Sequence, residues 1–550
     1  MRRTLTFNRD RCLACLSCEL ACSLAHSASE LLEAAVAEPL PARRRVAMSS
    51  AETGLEALRC QQCGEPLCVF ACKSGALERD PFTGRVVLDD SRCVGCFMCL
   101  MVCPSGVRPD AARDRVVRCD VCEGRNVPAC VTACPTGALA AGAAGGQEAR
   151  SGFSGRVVVI GSSAAGIAAC EAAREHAPDC SITLVTADAN PQYSRPLLSY
   201  VLAGAIEPSR IDWRARGYLE KLGVWARPGR KAARLKSDRG PVVLDDDTEL
   251  AFDALIVATG ARGAKIAIPG AHLPEVYPLR DLEDLEEISR LAGPGRRAVV
   301  LGGGNVGLQV CEAFLARGMK VTVVAASPRL LSQMVDAEAA RRVAELFSSR
   351  LLDIRTGRDA LEIAGAGHVE NVLLDDGSRI GADLVVVAKG IAPNVEWLRG
   401  SGVRIGRGIA VDLCGRTSVP GIFAAGDCAE APDPITGRAS VSGVWPVAYE
   451  MGRAAGCAAV GVERPSGGAL RMNASRFFGV SVVSIGEVRP ERLEGASEQV
   501  LANSDGVYRK LVFCGDRLAG ALLYGDISDA GSFYRRYREA WSVGLNQGVI

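Results

Sequence analysis

Sixteen cysteines in the first quarter of the chain fall into four groups of four, and their spacing limits the fold more than any other feature of the sequence. The groups are Cys12, Cys15, Cys18 and Cys22; Cys60, Cys63, Cys68 and Cys72; Cys93, Cys96, Cys99 and Cys103; and Cys119, Cys122, Cys130 and Cys134. Each opens C-x2-C and closes with x3-C, and Pro104 and Pro135 follow the last cysteines of the third and fourth groups. A cubane iron–sulfur cluster needs four thiolates at its corners. Closely spaced cysteines on a tight loop grip three of them with little extra ordering of the chain, and the fourth comes from elsewhere. A disulfide framework belongs to small secreted chains, whereas this chain is long, and its start, MRRTLTFNRD, has no long apolar region behind the arginines. Zinc ribbons also use paired C-x2-C. Four repeats of the three-plus-one spacing, with C-x2-C-x2-C-x3-C occurring twice, favour iron and sulfide instead.

In two-cluster ferredoxins the last cysteine of each run ligates the other cluster, so four quartets predict four 4Fe-4S clusters with crossed ligation. The other seven of the 23 cysteines, Cys170, Cys180, Cys311, Cys414, Cys428, Cys457 and Cys514, are scattered and read as inert thiols. His26, His176, His272 and His368 are isolated, which gives a haem, a zinc centre or a catalytic histidine little support. At 550 residues the chain exceeds one core, so several domains are expected. Its 64 basic and 63 acidic residues leave a net charge of +1 and no general affinity for polyanions, nucleic acid included. No apolar run reaches the roughly 18 residues of a membrane helix, so no membrane span and a cytoplasmic location are expected.

Strand-like segments such as RVVLDD and RVVRCDVC lead into successive cysteine loops, and GALERDPFTGRVVLDDSRC reads as a hairpin turning at Phe82-Thr83-Gly84. Residues 1–140 therefore read as a doubled ferredoxin-like domain whose small core is supported by its metal clusters. The small, polar stretch AAGAAGGQEARSGFSG contains a linker, taken as 141–153. RVVVIGSSAAGIAACEAAREHAPDCSITLV follows as a βαβ unit opening a nucleotide-binding fold. Its turn is Gly161-x-Ser163-x-x-Gly166, with a serine small enough to admit pyrophosphate to the helix N-terminus. A second unit, RRAVVLGGGNVGLQVCEAFLARGMKVTVV, carries the full fingerprint as Gly302, Gly304 and Gly307. The end of the chain, from MNASRFFGVSVVSIGEV, alternates apolar residues between Gly-Asp turns and reads as β-rich.

These residues carry two resemblances. Residues 154 to about 460 resemble the pyridine nucleotide-disulfide oxidoreductases, in particular the branch of rubredoxin reductase and the flavoprotein half of nitrite reductase. The resemblance rests on the GSSAAG turn, QYSRPLLSYVLAG with Arg195 and Pro196, the ATG of Thr259 and Gly260, GGGNVG, and the IFAAGDCA box with Gly426 and Asp427. It implies FAD on the first unit and the AAGD box, with Asp427 toward the ribityl or pyrophosphate side and Trp445 near the flavin ring. NAD(P) falls on the second unit. The implied fold is multidomain α/β, with two Rossmann-like, three-layer β/β/α domains and a small α+β C-terminal domain. FAD takes residues 154–280 and 401–465, NAD(P) takes 281–400, and 466–550 forms a dimerisation-type domain, so a homodimer is expected. Thr186 replaces the usual ribose carboxylate of the FAD unit, and Asp188, two residues on, is the substitute. In the second unit Ala325 stands at that place; Arg329 either meets a 2′-phosphate or is an ordinary surface arginine, and both NAD and NADP stay open. The redox cysteines of the disulfide reductases are missing from QYSRPLLSYVLAG.

Residues 1–140 resemble the four-cluster electron-transfer subunits of molybdopterin oxidoreductases, hydrogenases and formate dehydrogenases. CLACLSCELACSLAHS resembles more narrowly the CooF-type iron–sulfur protein of nickel carbon monoxide dehydrogenase. The family pattern implies the sets Cys12, Cys15, Cys18 with Cys134; Cys119, Cys122, Cys130 with Cys22; Cys60, Cys63, Cys68 with Cys103; and Cys93, Cys96, Cys99 with Cys72. His26 reads as a structural hydrogen-bond partner. The expectation is an anaerobic iron–sulfur flavoprotein with no catalytic side chain. It would carry electrons between NAD(P)(H) and a one-electron partner such as carbon monoxide dehydrogenase or another redox protein. The alternatives are an NAD(P)H-dependent reductase feeding another acceptor (a reductase, oxygen or peroxide), or a non-enzymatic redox docking module.

Overall fold

A computed structural model describes residues 2–541, apart from 41, 52–53, 81, 111, 145–149, 191 and 238–239. The described residues divide into two compact units, one built from residues 2–144 with 527–539, the other from residues 150–526 with 540–541.

In the cysteine unit, the strands Arg2–Phe7 and Leu139–Ala144 pair antiparallel, with Phe7 opposite Leu139, so the segments flanking the first and fourth quartets close on each other. Gly142 of this strand stands opposite Thr4, and a Cβ there would come 3.0 Å from the Thr6 methyl group. Three hairpins separate the quartets: Ala47–Ala51 with Gly54–Leu58, Leu77–Arg79 with Val86–Leu88, and Val107–Asp110 with Arg115–Arg118. Short helices carry cysteines from each quartet: Ser17–Leu24, Leu67–Phe70, Met98–Val102 and Ala129–Thr132. The core among them mixes apolar side chains with thiols: Leu5, Val46, Val121 and Leu139 surround Cys18, Cys22, Cys60, Cys119 and Cys130. The C-terminal helix Ala530–Trp541 begins on this unit, where a side chain at Gly531 would fall 2.0 Å from the Cys103 carbonyl oxygen.

The second unit holds two parallel five-stranded sheets. The first runs Val224–Pro228, Ser181–Thr186, Arg156–Ile160, Ala254–Val257, Ile422–Ala424, its last strand supplied by sequence far downstream. The second runs Val276–Tyr277, Leu384–Val387, Arg297–Leu301, Lys320–Ala325, Asp353–Thr356. The middle strands Arg156–Ile160 and Arg297–Leu301 are apolar and buried after their first, exposed arginine, as strands covered on both faces must be. Each Rossmann unit carries a three-stranded antiparallel layer as well. The helices Ala164–His176 and Trp445–Ala459 cross in close contact because Gly452 and Gly456 have no side chain; a Cβ there would lie 2.2 and 2.4 Å from the carbonyl oxygens of Ala165 and Ala169. A five-stranded antiparallel sheet, Met472–Phe477 through Arg517–Tyr524, follows.

Candidate functional site

The cysteine loops share one backbone device. The residue just before the second cysteine of every quartet, Ala14, Gln62, Gly95 and Val121, has positive φ, at 52°, 51°, 62° and 59°. The left-handed conformation disfavours a non-glycine residue by about 1–2 kcal/mol, and most of all a β-branched one such as Val121. Strain of this kind persists where the surroundings over-determine it.

The loops bring thiols of different quartets together. Cys12, Cys15, Cys18 and Cys134 line one cavity with Phe7, Leu13, Met48 and Leu139. Burial, then the charges of Cys103 and Cys60, holds the Cys68 thiol well above its ordinary range. Burial, then Cys72, Cys96 and Cys93, does the same to Cys99. Burial pushes Cys119 and Cys130 up to about 12, with Cys22 among the neighbouring charges at each. Four soft donors in each set fit a cubane cluster by count and by chemistry, and loading one would displace these protons.

Donors already point at the sulfurs. Backbone amides of Arg45, Leu77, Gly106 and Val121 donate to Cys22, Cys72, Cys103 and Cys119 at 3.1, 3.3, 3.3 and 3.4 Å. His26 is a structural partner, donating from Nδ1 to the Cys22 carbonyl oxygen at 2.7 Å and from Nε2 to Asp120 at 3.2 Å. Arg45 donates to the other oxygen of Asp120 at 2.6 Å. His26, Asp120 and Cys122 bring ligand atoms within 4.8 Å of one another, but the first two are engaged in this ion pair. Two buried residues went unnoticed in the sequence. Glu19 accepts from the Met48 amide at 2.6 Å and from Arg44 at 2.9 Å, tying the first cysteine helix to the hairpin. Arg118, 3% exposed, donates to Cys60 Sγ at 3.2 Å. An isolated arginine beside a C-x2-C carries no spacing signal.

In the second unit both glycine turns are sterically compulsory. Gly161 has φ of +113°, a Cβ there would lie 2.0 Å from the Ala258 carbonyl oxygen, and one at Gly166 would lie 1.8 Å from that of Gly161. Ser163 caps the following helix with its backbone alone, so the first amides of the helix stay available to an anion. Gly302 and Gly307 repeat the geometry, with Cβ positions 2.3 and 1.9 Å from the Ala388 and Gly302 carbonyl oxygens, while Gly304 faces open space. These are cradles for two dinucleotides.

The remaining predicted residues fall around the first cradle. The Ser162 hydroxyl donates to Thr186 at 2.9 Å, where a carboxylate usually sits, and Asp188 instead pairs with Arg195 at 2.6 Å. Pro196 is the second residue of the short turn Arg195–Leu197. Thr259 donates to the Asn394 carbonyl oxygen at 2.7 Å, and Asn394 returns a bond to the Thr259 carbonyl oxygen at 3.1 Å, which pins the left-handed Gly260. Arg280, overlooked in the sequence, donates to Asp427 at 2.9 Å and to the Ala261 carbonyl oxygen at 2.8 Å. Gly426 lies close over Ala165. Trp445 opens its helix against Trp213, ring centres 5.0 Å apart and edge to face. The indole nitrogens of both, with the Tyr193 and Ser194 hydroxyls, are buried without a protein partner. Orphaned donors grouped beside a phosphate cradle fit a bound flavin. In the second cradle the strand ends at the buried Ala325, and Arg329 Nε is buried without an acceptor.

Gln192–Gly204 holds no cysteine; Ser199 there bonds Gln309 at 3.0 Å. Six of the seven remaining cysteines are buried and Cys514 is partly buried.

A parallel-sheet pair with two phosphate cradles, joined to a cysteine-ligated unit, defines an NAD(P)H-linked flavin oxidoreductase with an iron–sulfur domain. The chain belongs to the pyridine nucleotide-disulphide oxidoreductase family, whose model matches residues 155–452. A 4Fe-4S dicluster domain matches 52–144, which leaves the first quartet outside, and a rubredoxin NAD+ reductase C-terminal domain matches 472–537. The chain is 31% identical over 376 residues to the assimilatory nitrate reductase electron transfer subunit of Bacillus subtilis (strain 168), covering 68% of this chain and 48% of that one. It thus spans about half the length of that relative. It is 32% identical over 380 residues to the NADH-dependent phenylglyoxylate dehydrogenase subunit epsilon of Aromatoleum evansii, covering 68% and 90%. Among solved structures, a covalent putidaredoxin reductase–putidaredoxin complex superimposes with a TM-score of 0.65 at 25% identity, over 72% of this chain and 94% of that one. No described helix is long and apolar enough to cross a membrane.

Proposed function

We propose that this chain moves electrons between NAD(P)(H) and a one-electron redox protein through FAD and four 4Fe-4S clusters. The clusters are held by Cys12, Cys15, Cys18 and Cys134; by Cys22, Cys119, Cys122 and Cys130; by Cys60, Cys63, Cys68 and Cys103; and by Cys72, Cys93, Cys96 and Cys99. The observation that carries this reading is the left-handed residue at the same place in all four C-x2-C loops, with Cys134, the closing cysteine of the fourth quartet, lining one cavity with Cys12, Cys15 and Cys18. A flavin takes a hydride's two electrons from nicotinamide and releases them singly, which is the chemistry the cofactors supply when bound. The protein holds and orients. Gly161, Ser163 and Gly166 present helix amides to one pyrophosphate, and Gly302, Gly304 and Gly307 to the other. Asp427, held by Arg280, would take the ribityl or pyrophosphate side of FAD, and Trp445 would lie near its ring. With no thiol in Gln192–Gly204, the outlet for electrons is the cysteine unit.

Nickel carbon monoxide dehydrogenase is the partner proposed from the opening motif, with electrons running toward NAD(P)+. The relative named as an electron transfer subunit supports the opposite direction, from NAD(P)H to a reductase. An anaerobic preparation should contain about sixteen iron atoms per chain, and its flavin should bleach with NAD(P)H. Iron far below that value sinks the four-cluster reading. If carbon monoxide with the nickel enzyme leaves the flavin oxidised, that partner is excluded and the reductase direction remains.

A further inference from the structure

We infer that Arg118 raises the reduction potential of the cluster held by Cys60, Cys63, Cys68 and Cys103, an inference that rests on the cluster assignment above. Arg118 ends the strand Arg115–Arg118, one residue before Cys119, and its guanidinium crosses to the second quartet to donate to Cys60 Sγ at 3.2 Å. It is 3% exposed, and its Nε is buried with no acceptor in the protein. No carboxylate is recorded within ion-pair distance of it among the described residues.

A buried cation is destabilising unless a negative charge compensates it. The sulfurs around Arg118 supply that charge: Cys60, Cys68 and Cys119 are its electrostatic partners. Reduction adds one electron to a cluster already carrying thiolate charge, so a fixed cation at hydrogen-bond distance favours the reduced form. Net charge, hydrogen bonds to sulfur and exposure are what set such potentials. Cys99 lies on a helix turn whose own neighbours in sequence, Phe97, Leu100, Met101 and Val102, are all buried and apolar, and low polarity opposes added charge. Arg118 is therefore a positioning residue for electrons. It acts through Cys60 on the cluster.

The test is a potentiometric titration of the full chain followed by electron paramagnetic resonance, with iron and acid-labile sulfide measured on each sample. In R118Q a midpoint of the wild type should fall by the equivalent of at least tenfold in the reduction equilibrium, 59 mV for one electron. R118K, which keeps the charge with a different reach, should shift it by less. Midpoints unchanged at full iron content overturn the inference and leave the cluster assignment standing. Should R118Q lose iron, R118M is the second neutral variant and is read by the same criterion. If Cys60→Ala retains the iron and sulfide of the wild type, the assignment itself falls, and the inference with it.

Discussion

Gly304 and Gly307 lie in the same turn, but the structure gives them different work. At Gly307 an added Cβ would stand 1.9 Å from the Gly302 carbonyl oxygen, backbone that no rotamer change can move. Reaching ordinary contact requires a shift of more than an ångström between strand and helix, and overpacking of that kind costs about 1–3 kcal/mol or more. At Gly304 an added Cβ meets nothing within 4 Å, and its φ of −83° with ψ of −175° is open to any residue. Alanine there loses about 0.5–1 kcal/mol as a poorer N-cap and recovers about 0.4–1 kcal/mol from the less flexible unfolded chain. Gly304→Ala should therefore unfold like the wild type in urea. Its methyl group occupies the space a pyrophosphate needs, so KM for NAD(P)H should rise about tenfold or more, each factor of ten being about 1.4 kcal/mol. Gly307→Ala should instead lower stability and nucleotide use together. The assay is urea unfolding beside steady-state reduction of an artificial acceptor. If Gly304→Ala leaves KM within about twofold for both NADH and NADPH, the space beside Gly304 is not the nucleotide cradle and the reasoning fails.

Three further outcomes follow from single contacts. Ala14 is exposed at φ of 52°, so Ala14→Val, adding a β-branch to a left-handed residue, should release the Cys12 cluster first, seen as about four fewer irons. Ala14→Gly should retain them. A side chain at Gly531 collides with the Cys103 and Leu100 carbonyl oxygens, so Gly531→Val should lower iron content while flavin per chain is unchanged. Asp284, on the capping box of Leu282–Leu291, is pushed up to about 6 by burial and by the charge of Asp281. The folded state then binds the proton more tightly than the unfolded one. Stability from this group is full below the ordinary carboxylate range and is lost as pH rises to about 6. Asp284→Asn, which keeps an acceptor for the Arg280 amide, should flatten that slope and gain on the order of 1 kcal/mol at pH 7.

Much of this architecture was readable from the chain because its signals are local. A C-x2-C pair or a G-x-G-x-x-G turn places its chemistry within one loop, and both turns form as their spacing predicts. Where the signal was an absence, at Thr186, the sequence offered Asp188 as the substitute but not its partner. Asp188 pairs with Arg195, seven residues along. Arg280 meets Asp427 across 147 positions, and no pattern in either neighbourhood announces it.

From the sequence alone come the donor set, the two phosphate turns and the missing thiol, since each depends on residue types at short separation. Folding alone decides which long side chains reach them. Arg118 beside Cys60 and Gly531 beneath Cys103 are matters of distance between segments far apart in the chain, and long-range electrostatics and close packing are set by those distances rather than by residue order.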